Sequence, residues 1–317
     1  MKILPLTLIF LLSALAVPLM AQEAEVVVDW EVFEAGTPAE VAAEIARWAN
    51  SIKIENLIDE EDGLTPLEYA FINPHKEVLS VLIDAGVDIN QKGEDGTTFL
   101  LNFAMFGMTD IVSRLIEHGA DIEAGDEAGW TPLMFAAMMG NEEVVSVLIE
   151  AGANINAKGT FGLMTVLTAA LINKSPDVIS TVLKAGADTE LRSEGLTPLM
   201  HLAHSEFHSE KFHALIKAGA QLEARDENGM TPLMIAIVLS SSEAASRLIE
   251  AGANLEAKDY AGWTPLMLAA ATSSNSQNLS LLLKAGASLE AKSTDGITPS
   301  LFLGGRPTNS HGVSKLI

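Results

Sequence analysis

Between residues 126 and 158 the chain reads DEAGWTPLMFAAMMGNEEVVSVLIEAGANINAK, and its apolar positions follow helical spacing twice. Leu133, Ala136 and Ala137 form one stripe, while Val144, Val145, Leu148 and Ile149 form a second. The signals around these stripes predict two short helices behind a tight turn. Gly129 marks the turn, the Thr131 hydroxyl is placed to cap the first helix, and Pro132, which lacks an N–H, suits its first position. Gly140 ends that helix. Asn141 opens the next, with Glu142 and Glu143 complementing the positive end of its dipole. Gly152 is where the backbone must turn left-handed to leave it. A pair of this kind cannot cover its own apolar face, so it requires copies on both sides.

The copies are present. The turn glycine recurs at Gly63, Gly96, Gly129, Gly162, Gly195, Gly229, Gly262 and Gly296, at spacings of 33, 33, 33, 33, 34, 33 and 34. A helix-ending glycine recurs at Gly86, Gly119, Gly152, Gly186, Gly219, Gly252 and Gly286. Thr-Pro-Leu stands at positions 65–67, 131–133, 197–199, 231–233 and 264–266, and the pattern decays to Thr98-Phe99-Leu100 and Met164-Thr165-Val166 in two copies. A 33-residue period carrying T-P-L and A-G-A at fixed offsets resembles the ankyrin repeat. The resemblance covers nearly the whole chain after residue 28. It implies an all-α solenoid of helix-turn-helix units with short β-turn fingers, about nine stacked layers including the caps.

The expected organisation is a signal peptide at 1–21, an N-terminal extension and capping repeat at 22–62, seven repeats at 63–295 and a C-terminal capping repeat at 296–317. In the N-terminal cap, Thr37-Pro38 is expected to open the second helix, with Val41, Ile45 and Trp48 on one face. The interval between the two glycines is one residue longer in the repeats from Gly162, Gly195 and Gly262, and all three extra residues are expected in the link between the helices. The hairpin between Gly186 and Gly195 is one residue short and is expected to be distorted.

Net charge changes the picture of partners. The chain carries 42 acidic and 19 basic residues, a net −23. That argues against nucleic acid, whose backbone demands clustered Lys and Arg, and against an anionic lipid surface. It favours a neutral or basic protein partner and a monomer. There are no cysteines, which excludes disulfides, thiolate catalysis and Cys-ligated zinc. Residues 1–20, MKILPLTLIFLLSALAVPLM, place one Lys before an apolar run and small residues, the pattern of a cleaved secretory signal. Export to the periplasm or outside the cell is therefore expected, with no membrane insertion after cleavage; a retained anchor is the alternative. Asn173-Lys174-Ser175 and Asn278-Leu279-Ser280 fit the glycosylation pattern that eukaryotic secretion would use.

One departure from the resembled family concerns the residue after T-P-L, usually His. Here it is Glu68, Leu101, Met134, Leu167, Met200, Met234 or Met267. The polar tie that the His makes to the capping Thr is expected to be lost to thioether packing.

The resemblance further implies that a partner is gripped by turn tips and by the exposed end of the first helix. By position this selects Met105, Phe106, Glu127, Trp130, Met138, Met139, Phe161, Leu171, Ile172, Val238, Leu239, Tyr260 and Trp263, many of them apolar where solvent is expected. The competing reading packs the tryptophans on the next turn and uses Met and Leu to close gaps between helices. His201, His204, His208 and His213 cluster in one repeat, and His204 with His208 has the i, i+4 spacing of a metal pair; no Cys or fixed carboxylate completes it, so no metal is expected. No G-x-S-x-G elbow, phosphate loop or H-E-x-x-H occurs, and no cofactor is expected. The function these features imply is a non-enzymatic protein-binding module. A rigid structural spacer in the cell envelope is the alternative, and a His-cluster metal binder a more distant one.

Overall fold

A computed structural model describes residues 28–48, 59, 61, 64–73, 75, 77–93, 96–173, 175–204, 209–272 and 276–304. The signal segment at 1–21, His208 and residues 305–317 lie outside the described residues, as do the turn residues Asp62, Glu94 and Asp95 and the side chains of Trp48, Phe161 and His204. The chain divides into two compact units, Met1–Glu127 and Ala128–Ile317.

The first unit holds α1 (Trp30–Ala35), α2 (Pro38–Trp48), α3 (Pro66–Ile72), α4 (Val78–Asp84), α5 (Phe99–Met105) and α6 (Thr109–Glu117). As expected, α2 starts after Thr37 and buries Val41 and Ile45. Helix α1 packs on α3, where Trp30 stacks on Tyr69 with ring centroids 5.5 Å apart. The Tyr69 hydroxyl donates to Asp59 Oδ2 at 2.5 Å, and Asn73 Nδ2 donates to the Phe33 and Gly36 carbonyls. The segment ahead of Gly63, which lacks the Thr-Pro-Leu motif, is thus fastened to α3 by Tyr69 and by Asn73 just after it.

The second unit holds α7 (Pro132–Met139), α8 (Glu142–Glu150), a 3-10 turn (Thr160–Gly162), α9 (Val166–Ile172), α10 (Pro176–Lys184), α11 (Pro198–His204), α12 (Ser209–Lys217), α13 (Pro232–Val238), α14 (Ser242–Glu250), α15 (Pro265–Ala271), α16 (Ser276–Lys284) and α17 (Pro299–Gly304). First helices α7, α9, α11, α13, α15 and α17 pack in chain order, and second helices α8, α10, α12, α14 and α16 form the other layer. The core between them is Leu133, Val144, Leu148, Val166, Val178, Leu199, Leu215, Leu233, Leu248 and Leu266, all fully buried. Among the described residues there is no sheet, only isolated bridges Lys158↔Thr165 and Ser193↔Leu196 in the fingers.

Every first helix from α3 to α15 follows a Thr, and for α3, α5, α7, α9, α13 and α15 that Thr is the cap whose hydroxyl accepts the backbone N–H three residues on. Thr197 makes the same bond ahead of α11, at 3.4 Å from Met200 N. Gly129 has φ 71°, and a Cβ there would lie 2.6 Å from Thr160 Oγ1 in the next finger, so backbone conformation and close approach both demand glycine. Neighbouring fingers join edge to edge through Thr160 N–H to Ala128 O, Glu194 N–H to Gly162 O, Tyr260 N–H to Asn228 O and Thr294 N–H to Ala261 O. Glu190, Glu223 and Glu256 each accept the backbone N–H of Gln221, Asn254 and Ser288 in the following repeat, at 2.7–2.8 Å. Part of the acidity therefore stitches repeats together.

Three expectations are corrected. In the repeat after Gly162 the cap is Thr165, which exchanges bonds with Thr168, so the motif is Thr165-Val166-Leu167, one residue later than the expected Met164-Thr165-Val166. Its extra residue lies in the finger ahead of the helix, where the 3-10 turn absorbs it. Within the second unit the links from α11 to α12 and from α15 to α16 are longer than those of the other helix pairs, as expected. The short hairpin is not irregular: Glu194 (φ 51°) and Gly195 (φ 79°) make a two-residue turn closed by Ser193 and Leu196, of the type whose twist suits paired strands. The third correction concerns the residue after T-P-L. Glu68 completes a full reciprocal cap with Thr65, and Met234 and Met267 each offer sulfur to the cap's backbone N–H at 3.5 Å, so a polar tie persists in weaker form.

Candidate partner-binding surface

The first helices of the second unit run side by side with their C-terminal ends together. Asn173 after α9 shows this, since its Nδ2 donates to Ala137 O of α7 at 2.9 Å, and a Cβ on Gly140 would lie 2.7 Å from that same nitrogen. At the ends of α7, α9 and α13, the side chains seven and eight residues past the capping Thr leave the buried stripe. Counted from Thr131, Thr165 and Thr231, those positions are Met138 and Met139, Ile172 and Asn173, Val238 and Leu239. Met139 is 53% exposed, Ile172 59%, Val238 43% and Leu239 45%. Met138 is half-buried. They form a row of exposed or half-buried aliphatic side chains at the C-terminal ends of α7, α9 and α13.

Leu171 does not join it. It is buried at 8%, because the one-residue shift of its cap turns it to the core and puts Ile172 outside. On the fingers, Tyr260 is 71% exposed and covers Gly229 of the preceding finger, where a Cβ would meet its ring at 2.7 Å. Trp130 and Trp263 are half-buried. Trp130 lies 5.1 Å from the Phe135 ring, and its Cδ1 sits against Gly159 of the next repeat, as the competing structural reading expects. Phe161 stands in the 3-10 turn, and its neighbour Leu163 is exposed. In the first unit, Phe106 and Glu127 are exposed and Met105 is half-buried.

Sequence reasoning missed two residues that support the row. Asn173 is one. The other is Lys211 on α12, which is buried, with Nζ donating to Leu171 O at 2.6 Å and to Asn173 O. These carbonyls flank Ile172. Burial pushes the Lys211 ammonium below its ordinary pKa. A signal was present: the same column of the second helices holds Val78, Ile111, Val144, Val178 and Ala244, and a lysine among them is out of place. Asn278 is the second polar residue of that column, fully buried, and neither its Nδ2 nor its Oδ1 has a hydrogen-bond partner among the described residues.

The histidines do not converge on a metal site among the described residues. His201 Nε2 bonds the Ser193 carbonyl at 2.9 Å and His213 is exposed. Both glycosylation tripeptides are closed in the folded chain: Asn278 is fully buried, and the Asn173 amide is held by Ala137 O and by Ser175 N–H. Among the described residues no helix is long and apolar enough to cross a membrane.

Capped helix pairs in two layers, joined through hairpin fingers and repeated at 33 residues, define a helical repeat protein. The family description "Ankyrin repeats (3 copies)" matches residues 86–159 and 201–293, and "Ankyrin repeat" matches 62–94; the chain belongs to the ankyrin repeat family. Among solved structures, the ankyrin repeat domain of Bcl-3, described as a unique member of the IkappaB protein family, is similar at 27% identity and TM-score 0.63, covering 70% of this chain and 100% of that one. The ankyrin repeat domain of human ASB11 is similar at 22% identity and TM-score 0.59, covering 70% of this chain and 98% of that one. Among curated protein sequences nothing matches. Ankyrin repeat domains generally mediate protein–protein interaction and are typically non-enzymatic.

Proposed function

We propose that this protein is an exported, non-enzymatic binding module that holds a protein partner against the C-terminal ends of its first helices and its finger tips. The observation that carries the reading is the row Met139, Ile172, Val238 and Leu239, aliphatic and exposed where a solvated helix end needs no apolar side chain. The acidic balance directs the reading to a neutral or basic partner engaged by a monomer. Export rests on the composition of residues 1–21, and N-terminal sequencing of the natural protein tests it; a chain beginning at Met1 refutes cleavage.

The test of binding is affinity capture from the native compartment with a bait starting at Gln22, beside a Met139→Ser/Val238→Ser/Leu239→Ser control verified as folded by circular dichroism. A partner retained by the first and lost by the second supports the reading. Equal capture by both refutes the row. Capture by neither favours the spacer, a reading that the inter-repeat bonds of Glu190, Glu223 and Glu256 would suit.

A further inference from the structure

The partner's chemistry can be read from what borders the row, an argument that rests on the row being the binding surface. Each ridge position is followed within a few residues by the first turn of a second helix, and those turns carry Glu142 and Glu143 (α8), Asp177 (α10), Glu210 (α12) and Glu243 (α14). Glu142, Glu143, Asp177 and Glu210 are exposed; Glu243 is shared with Arg247 at 3.1 Å. Helix-dipole complementarity accounts for an acid at each N-terminus. It does not account for the exposed aliphatic side chains that precede the acidic starts of α8, α10 and α14. Along the second unit the exposed aliphatic side chains of the α7, α9 and α13 layers thus precede acidic helix starts, and the α11 layer interrupts the apolar positions but keeps its acid.

The step length selects the partner's backbone. Packed helices lie roughly 8–10 Å apart. A helix laid across them advances about 10.5 Å per heptad, so one face meets successive layers at i, i+7 and i+14. A β-strand returns to the same face after about 6.7 or 13.4 Å and falls out of step. Polyproline II, at about 9.3 Å per three residues, keeps step, but its recognition uses aromatic-lined grooves, and this row is Met, Ile, Val and Leu. Flexible thioether and aliphatic surfaces suit amphipathic helices.

We infer that the second unit binds a cationic amphipathic helix, whose heptad-spaced apolar residues sit on Met139, Ile172, Val238 and Leu239 and whose flanking Lys or Arg face the acidic helix starts. The α11 layer has His204 at the ridge position, so the helix needs no apolar anchor at that heptad.

The experiment uses three labelled peptides of about 28 residues, four heptads: Leu at heptad spacing with Lys on one flank, the same with Glu for Lys, and a scramble of the first that keeps its charge. Fluorescence anisotropy with the chain from Gln22 is expected to show saturable one-to-one binding of the Lys peptide alone. Affinity should weaken at least tenfold in Ile172→Ser/Val238→Ser/Leu239→Ser, and several-fold in Asp177→Asn/Glu210→Gln or when salt rises from about 50 to about 300 mM. Circular dichroism checks each variant's fold. Equal binding of the scramble or the Glu peptide overturns the cationic helix while leaving the row as a surface. Binding of the Lys peptide that survives the triple Ser change refutes the row itself. No binding by any peptide overturns the inference, and the capture experiment above still judges the row.

Discussion

Single side chains depart from the repeat at places where the departure has a measurable cost. Ser240 stands where α7 has Gly140 and adopts φ 59°, a conformation that disfavours a Cβ. Ser240→Gly is expected to stabilise the protein by about 1 kcal/mol, read as a higher urea midpoint with unchanged m. Asn278 has two buried polar atoms with no hydrogen-bond partner among the described residues, in a column that is otherwise apolar except for Lys211. Asn278→Val, which restores the residue of Val144 and Val178, should add about 1–3 kcal/mol, and a loss of stability in the same measurement would mean that the amide has a partner. Lys211 makes a prediction in pH. Its folded pKa is lowered by burial, so between that value and the ordinary 10.5 the unfolded chain binds the extra proton. Stability relative to Lys211→Met must then rise as pH climbs through that alkaline window, because the neutral amine still donates to both carbonyls without its desolvation cost. A flat difference across the window would show that the amine is solvated.

Elements in this chain are decided locally and joined by few bonds. Thr-Pro-Leu fixes the start of a helix because Thr supplies the acceptor, Pro the dihedral and Leu the first buried contact; this is why α7, α13 and α15 begin where the motif says. Where the motif decays, the reading slipped. Glycine spacing reveals an extra residue between Gly162 and Gly186 but not its place, and only the Thr165–Thr168 exchange locates it in the finger. That slip moved Leu171 from the surface to the core. The stitches between repeats were equally unreadable, since Glu223 accepts Asn254 N–H at 2.7 Å from another repeat and nothing in local sequence announces it. Glu223→Ala is expected to cost about 1 kcal/mol, with Glu223→Gln largely preserving stability because an amide oxygen also accepts; equal losses from both changes would point to charge instead.

At the scale of the molecule, charge and periodicity act together. With a pI near 4.5 the chain carries its acids well away from neutrality at pH 7, and solubility should fall to a minimum as pH is lowered toward that value, followed by light scattering. Scattering that is lowest there would contradict self-repulsion as what keeps the protein dispersed. The sequence by itself determined the helix pairs, their period, the left-handed glycines and the all-α class, because each follows from contacts within about 33 residues that recur down the chain. It also marked Met139, Ile172, Val238 and Leu239 as apolar in the wrong place. Tertiary structure alone decided which of the marked residues reach solvent, that Trp130 is spent against Gly159 and Phe135, and that a buried lysine and an asparagine hold the ridge at Ile172. The physical reason is one of reach. A cap or a turn is a bond between near neighbours in sequence, whereas exposure and the Lys211 and Asn173 bonds depend on side chains from an adjacent repeat, whose register a single inserted residue can shift.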